Sequence, residues 1–479
     1  MPEINYSQAS FSYKGKIVLS DISFSIKDKQ HCGIVGAIGS GKTMLLKSLL
    51  GVLPLRDGTR EFSVDGEEVS PHEFSCFVKS VESSETNKFF KPASHFYQQR
   101  YQSLEDDESR SLLVKDYLKL LKIDLSDAHI GGIVAKGKIT ELLERKLIHL
   151  SSGQRKRLQL TIAITKKPKV LLLDWPYTGL DTSTRFYLND WLKEVTNEYG
   201  IQLIIVAIRR DLPDFIDTVV ELESRPKAAL SNSEQALNQL IESWSNSATN
   251  HRFDSMIRMK DVLLGYGDVK ILKGINWEVK QGELVGLQGE NGSGKSSLLS
   301  LIYGDNPLAY NKEIYLFDRK RGTGESIWDI KKNIGFISSE FHLYMNDNIT
   351  CEKLVATGYF DQLFIPRKLT EKELTTIDLF FVYYGVQDLK KKFFDQISIG
   401  EQRLVLLIRA FIKNPLLLLL DEPFHGFDEN TIFQSNLLIE KMVEYSGTTL
   451  VFITHDKQVM PDIIDKYYLL SEGVIQNLN

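Results

Sequence analysis

One eight-residue pattern occurs twice in this 479-residue chain: residues 36–43 read GAIGSGKT and residues 289–296 read GENGSGKS. Both fit G-x-x-x-x-G-K-[ST], and both lie between a short apolar run (33–35; 284–287) and a helical pattern (44–50; 297–302). A strand that feeds a glycine-rich turn and then a helix gathers backbone N–H groups and the positive helix end at one point, which makes a phosphate cradle. The first loop offers Gly36, Gly39, Ser40, Gly41, Lys42 and Thr43; the second offers Gly289, Asn291, Gly292, Ser293, Gly294, Lys295, Ser296 and Ser297. Lys42 and Lys295 would reach the outer phosphates, and the hydroxyls of Thr43 and Ser296 suit Mg²⁺, a hard cation that takes oxygen ligands.

The loops are landmarks of a longer repeat. Tyr13 stands 29 residues before Lys42 and Tyr266 stands 29 before Lys295; Ser151 stands 23 before Asp174 and Ser398 stands 23 before Asp421. Two units of about 225 residues follow, 1–222 and 256–479, where length alone would suggest about three domains. Residues 223–255, rich in Ser, Asn, Ala and Gln, read as a linker with one amphipathic stretch over 233–244. Within each unit β-branched runs (201–206; 449–454) alternate with helical patterns, so each is expected to be α/β with a parallel sheet flanked by helices. Asp174 and Asp421 end apolar runs and are candidate Mg²⁺ ligands.

Composition narrows the partners. A net charge of −5 gives no global attraction to a polyanion, so nucleic acid is not an expected partner. Cys32, Cys76 and Cys351 show no paired spacing, which suggests neither a disulfide framework nor a thiolate metal site and fits a reducing cytosol. The densest aliphatic stretch, 416–420, is far below the ~20 residues that span a bilayer. A soluble cytoplasmic chain is expected, peripheral to a membrane only through a separate integral membrane partner.

The pattern around the loops resembles a known family. Residues 150–154 (LSSGQ) followed by 170–174 (VLLLD), and 397–401 (ISIGE) followed by 416–422 (LLLLLDE), are similar to the signature and Walker B motifs of ABC ATPases. Residues 178–181 (TGLD) and Phe427-Asp428 are similar to the D-loop, and the segments 97–100, 324–331, 334–339 and 358–361 resemble a tandem-cassette subgroup. The resemblance implies two tandem P-loop nucleotide-binding domains, each a parallel-sheet core with a helical subdomain, binding ATP and Mg²⁺. It also implies that the cassettes pair head to tail, so that Ser151, Gly153 and Gln154, or Ser398 and Gly400, close over the nucleotide on the other cassette's loop. Tyr13 and Tyr266 stand where the family stacks an aromatic on adenine. Gln98 stands at the position that contacts Mg²⁺ and the attacking water, with Gln99 a rival; Ser339 is its counterpart in the second unit. Ile399 and Glu401 replace the family's Gly and Gln in the second signature.

Two further positions separate the units. Glu422 matches the carboxylate that orients or deprotonates the attacking water, whereas the first unit has Trp175, whose indole accepts no proton. His455, 33 residues on, matches the family's γ-phosphate-contacting histidine; 33 residues after Trp175 stands Ile208. The expectation is an ATP hydrolase with one ATP-holding site (Lys42, Asp174, Gln98, Ser398) and one hydrolysing site (Lys295, Asp421, Glu422, His455, Ser151). Such a chain would energise a separate membrane transporter. The alternative is a soluble ATP-dependent switch acting on a macromolecule in translation or DNA repair. Twin-cassette translation factors carry a basic interdomain segment, and 224–255 is neutral in balance, with three basic residues against three acidic ones.

Overall fold

A computed structural model describes residues 2–13, 15–81, 112–177, 180, 182–222, 230–246, 252–266, 269–290, 292–338, 345 and 348–478. These fall into two compact units, one up to residue 222 and one from residue 230.

In the first unit, β7 (Val170–Asp174) and β8 (Gln202–Val206) are buried at every residue, as strands covered on both faces must be. They pair in parallel with β6 (Val78–Val81), β3 (Cys32–Gly36) and β9 (Thr218–Leu222), in the order β6-β7-β8-β3-β9. The helices that matter for the site are α1 (Lys42–Leu49), α2 (Ser152–Thr165) and α3 (Thr182–Tyr199). A second sheet, which the repeat pattern did not announce, is antiparallel: β1 (Pro2–Tyr13), β2 (Lys16–Ile26), β4 (Leu55–Val64) and β5 (Glu67–Val69), in the order β2-β1-β4-β5. Register shifts after Tyr6, Ala9 and Phe11 break the two-residue alternation of β1, which hides the strand from a periodicity reading. Its buried face, including Ile4, Tyr6 and Phe11, shares one core with Leu45, Leu46 and Leu49 of α1. The sheet thus holds in place the helix that opens from the phosphate loop.

The second unit repeats the plan. Its antiparallel sheet runs β11-β10-β13-β14, from β10 (Ile257–Tyr266), β11 (Val269–Val279), β13 (Glu313–Leu316) and β14 (Arg319–Lys320). Its main sheet runs β15-β16-β17-β12-β18-β19. The parallel strands are β12 (Leu284–Gln288), β15 (Ile334–Ile337), β16 (Leu417–Asp421), β17 (Thr449–Ile453) and β18 (Lys466–Ser471), with β19 (Val474–Asn477) antiparallel at the edge.

The amphipathic stretch before this unit forms α4 (Leu230–Ser245), which packs on α6 (Glu371–Tyr383) and α8 (Glu429–Ser446). Ala236, Leu237, Leu240 and Trp244 are buried, the Trp244 and Phe380 rings lie 6.5 Å apart, and Ser233 Oγ donates to the Tyr383 carbonyl at 2.8 Å. This helix is therefore part of the second unit's core. Trp244→Ala is expected to cost about 3–5 kcal/mol, a cavity plus lost burial, read as a lower denaturation midpoint of the second unit.

Candidate functional site: two phosphate loops with unequal surroundings

Each phosphate loop leaves a central parallel strand at its carboxyl end, β3 or β12, and turns into α1 or α5 (Lys295–Tyr303). Its first glycine is required by two constraints. Gly36 has φ +148° and Gly289 φ +158°, and a Cβ there would stand 2.5 Å from the Leu222 carbonyl oxygen or 2.4 Å from that of Leu470. Gly289→Ala is accordingly expected to destabilise the second unit by about 2 kcal/mol or more, seen as a lower thermal midpoint without nucleotide. Gly41 and Gly294, also left-handed, sit at the N-caps of α1 and α5.

The lysines take the same pose in both units. Lys42 Nζ donates to the carbonyls of Gly36 and Ala37, both at 2.6 Å; Lys295 Nζ donates to Gly289 at 2.6 Å and Glu290 at 2.7 Å. Among the described residues, the hydroxyls of Ser40 and Ser293 are buried without a hydrogen-bond partner. A buried, unsatisfied hydroxyl beside a lysine and a helix N-terminus is matched to an anion's oxygens. Thr43 Oγ1 donates to Asp174 Oδ2 at 3.0 Å, so hydroxyl and carboxylate already meet. Asp421, likewise buried, ends β16 opposite Ile453 as Asp174 ends β7 opposite Val206. These donors are all oxygen and fit Mg²⁺.

The units diverge one residue further on. Trp175 and Glu422 share an unusual backbone, φ +51° and +47°, and each N–H bonds the adjacent strand at the same register, Trp175 to Val206 at 3.1 Å and Glu422 to Ile453 at 2.8 Å. The positions are therefore equivalent in three dimensions as well as in spacing. Glu422 Oε1 accepts from the His455 N–H at 2.9 Å and lies 2.7 Å from His455 Nδ1, while Oε2 accepts from Thr454 Oγ1 at 2.9 Å. His425 Nε2 lies 3.3 Å from Oε2 but off the line of a hydrogen bond. Burial alone would push this carboxyl up; the flanking imidazoles of His425 and His455 outweigh it and hold Glu422 well below the usual carboxylate range. In the first unit the same surroundings are Trp175, Ala207 and Ile208, with the Lys42 ammonium 5.6 Å from the centre of the indole ring. None of these three side chains can order a water by accepting its proton.

Thr454 and His425 were not singled out from the sequence. Thr454 could have been found as the hydroxyl immediately before the candidate histidine; His425 becomes visible only once the turn after β16 brings it back over Glu422.

The signature serines begin helices. Ser151 caps α2 and Ser398 caps α7 (Ile399–Phe411), each in a reciprocal box with the side chain three residues on, Gln154 or Glu401. Glu401 in place of Gln therefore preserves the cap, with Ser398 N donating to its carboxylate at 2.7 Å. Gly153 lies in the first turn of α2, and Gly400 is buried in that of α7. Tyr13 ends β1 with its side chain partly exposed. Gln98, Gln99, Asn291, Ser339, Thr178, Gly179 and Asp181 lie outside the described residues, as does the side chain of Tyr266.

The ABC transporter family matches the chain twice, over residues 19–178 and 272–425. An uncharacterized ABC transporter ATP-binding protein of Schizosaccharomyces pombe is 30% identical over 477 residues, covering 95% of each chain. The ABC transporter ATP-binding protein ModF of Escherichia coli is 29% identical over 486 residues, covering 97% of this chain and 96% of ModF. An uncharacterized ABC transporter ATP-binding protein of Saccharomyces cerevisiae is 26% identical over 392 residues, 72% of each chain.

Proposed function

The chain belongs to the ABC transporter family, as a tandem-cassette ATP-binding ATPase, and from that premise we propose that its two cassettes do unequal work. The cassette built on Lys295 supplies the hydrolytic machinery, and the one built on Lys42 holds ATP with little turnover. The observation that carries this reading is the set of bonds on Glu422 from Thr454 and His455, replaced in the first unit by Trp175, Ala207 and Ile208.

The chemistry follows from those positions. The loop amides with Lys295 and Ser293 bind the outer phosphates, and the corresponding groups with Lys42 and Ser40 do so in the first unit. Ser296 with Asp421, and Thr43 with Asp174, would hold Mg²⁺, which neutralises phosphate charge when bound. Glu422, fixed by three donors and kept ionised, presents a carboxylate that orients water for in-line attack and receives its proton as the new P–O bond forms and the bond from the γ-phosphorus to the departing ADP oxygen breaks. His455 Nδ1 faces that carboxylate, and in the doubly protonated ring Nε2 would donate towards the γ-phosphate. Ser398 and Gly400 would close over nucleotide in the first cassette, and Ser151, Gly153 and Gln154 over nucleotide in the second, with Tyr13 and Tyr266 stacking on adenine and Gln98 sensing metal and water.

We assign the output to a separate membrane protein. No helix among the described residues is long and apolar enough to cross a membrane, and the relatives carry the transporter name. The test is affinity capture with Glu422→Gln held in ATP. ATP-dependent recovery of one integral membrane protein is expected; recovery of ribosomal or DNA-bound partners instead would overturn the transporter reading in favour of a switch.

A further inference from the structure

Glu422, His425 and His455 each offer one ligand atom, and these atoms all lie within 4.8 Å of one another. The three side chains are partly buried, with side-chain exposures of 13%, 11% and 11%. Two elements converge to make the cluster: the turn after β16 carries Glu422 and His425, and the end of β17 leads into His455. ATP hydrolysis as set out above uses Glu422 and His455 directly and His425 only as a neighbour of the Glu422 carboxylate. Yet neither of the buried nitrogens of the His425 ring has a hydrogen-bond partner, nor has Nε2 of His455. A buried imidazole with both nitrogens unsatisfied is costly unless something supplies the missing partner.

We propose that Glu422, His425 and His455 form a three-ligand site for a borderline divalent transition-metal ion, Zn²⁺ being the type, and that its occupancy switches off hydrolysis in the second cassette. Two imidazoles and one carboxylate with an open fourth position form a recurrent zinc ligand set. Ligand bonds of about 2.0–2.1 Å in a tetrahedron place donor atoms about 3.3 Å apart. Glu422 Oε1 lies 2.7 Å from His455 Nδ1 and Oε2 lies 3.3 Å from His425 Nε2, so both imidazoles already stand within about that reach of the carboxylate. Nitrogen donors select against Mg²⁺, whose oxygen ligands, Ser296 and Asp421, belong to a different set. The first cassette offers no equivalent, because Trp175 and Ile208 occupy two of the three positions.

The inhibitory consequence rests on the proposed role of Glu422; metal capture does not. A bound ion takes the carboxylate lone pairs that would orient water and holds His455 away from the γ-phosphate, while the phosphate loop itself is untouched.

The experiment uses the untagged, nucleotide-free full chain titrated with Co²⁺ and then displaced with Zn²⁺. One equivalent of Co²⁺ should give the visible d–d bands of a four-coordinate ion, abolished by one equivalent of Zn²⁺ and unaffected by millimolar Mg²⁺. His425→Gln and His455→Ala should each weaken Zn²⁺ binding by at least about 100-fold, beyond what loss of an outer-shell partner costs, whereas His149→Ala, in the first unit, should not. X-ray absorption at the zinc edge of the wild-type chain needs no variant and should show two imidazoles and a carboxylate oxygen. Absence of bands, a sulfur ligand from the exposed Cys76, or unchanged affinity in His425→Gln would each overturn the site. Zinc should also lower turnover at least tenfold with ATP binding retained, reversed by a chelator. If metal binds as expected but Glu422→Gln hydrolyses normally, the site stands and the catalytic reading falls; if Glu422→Gln is inactive and no metal binds, the reverse holds.

Discussion

Glu422→Gln is expected to slow ATP hydrolysis by ~10²–10⁴-fold in a single-turnover assay, with ATP affinity changed by no more than a few-fold. The carboxamide keeps the length of the side chain and one acceptor oxygen, so packing between Thr454 and His455 should survive. It loses the charge that His425 and His455 sustain and the ability to take the water's proton. The phosphate loop, the Lys295 contacts and Asp421 lie on other elements, so nucleotide should still bind. The matching change in the first cassette, Trp175→Gln, should alter total turnover by less than about twofold, because Ala207 and Ile208 still provide no side-chain donors and a carboxamide takes no proton from water.

The second large effect is expected at His455. Its backbone N–H and Nδ1 both face Glu422 Oε1, at 2.9 and 2.7 Å, and removal of the ring deletes the second contact and the donor proposed for the γ-phosphate. His455→Ala should lower the single-turnover rate by ~10²–10³-fold, the range found when a preorganised donor to a developing negative charge is lost. Ile208→Ala, at the same place in the other cassette, should leave it within twofold. His455→Gln, which keeps a donor of similar reach, should recover part of the loss; no recovery, with folding and ATP binding intact, would show that the ring has a role other than donating a bond.

Much of this was legible in the sequence, for reasons that particular residues show. The phosphate loops announce themselves because a glycine is obligatory at Gly36 and Gly289, where a neighbouring strand carbonyl leaves no room for a Cβ. Asp174 and Asp421 are found by the apolar runs before them, and Trp175 against Glu422 by counting residues, since the two backbones are superimposable in bonding. The antiparallel sheets escaped because bulges in β1 scramble its alternation and because strand pairing between β1 and β4 is long-range. His425 escaped because its importance depends on a turn that returns it to Glu422; three residues along the chain say nothing about 3.3 Å in space. Glu401, a departure from the family's signature, keeps the capping bond that a glutamine would make.

The central claim is that equal phosphate loops serve unequal sites, and the nucleotide content of the chain after one turnover tests it most directly. The full chain would be loaded with radiolabelled ATP and Mg²⁺, separated from free nucleotide, and quenched over time to count ATP and ADP bound per chain. Two ATP should be bound at the start, one converted to ADP, and one retained as ATP over many times the half-life of the first. Conversion of both at the same rate would contradict the account, as would rapid hydrolysis that persists in Glu422→Gln.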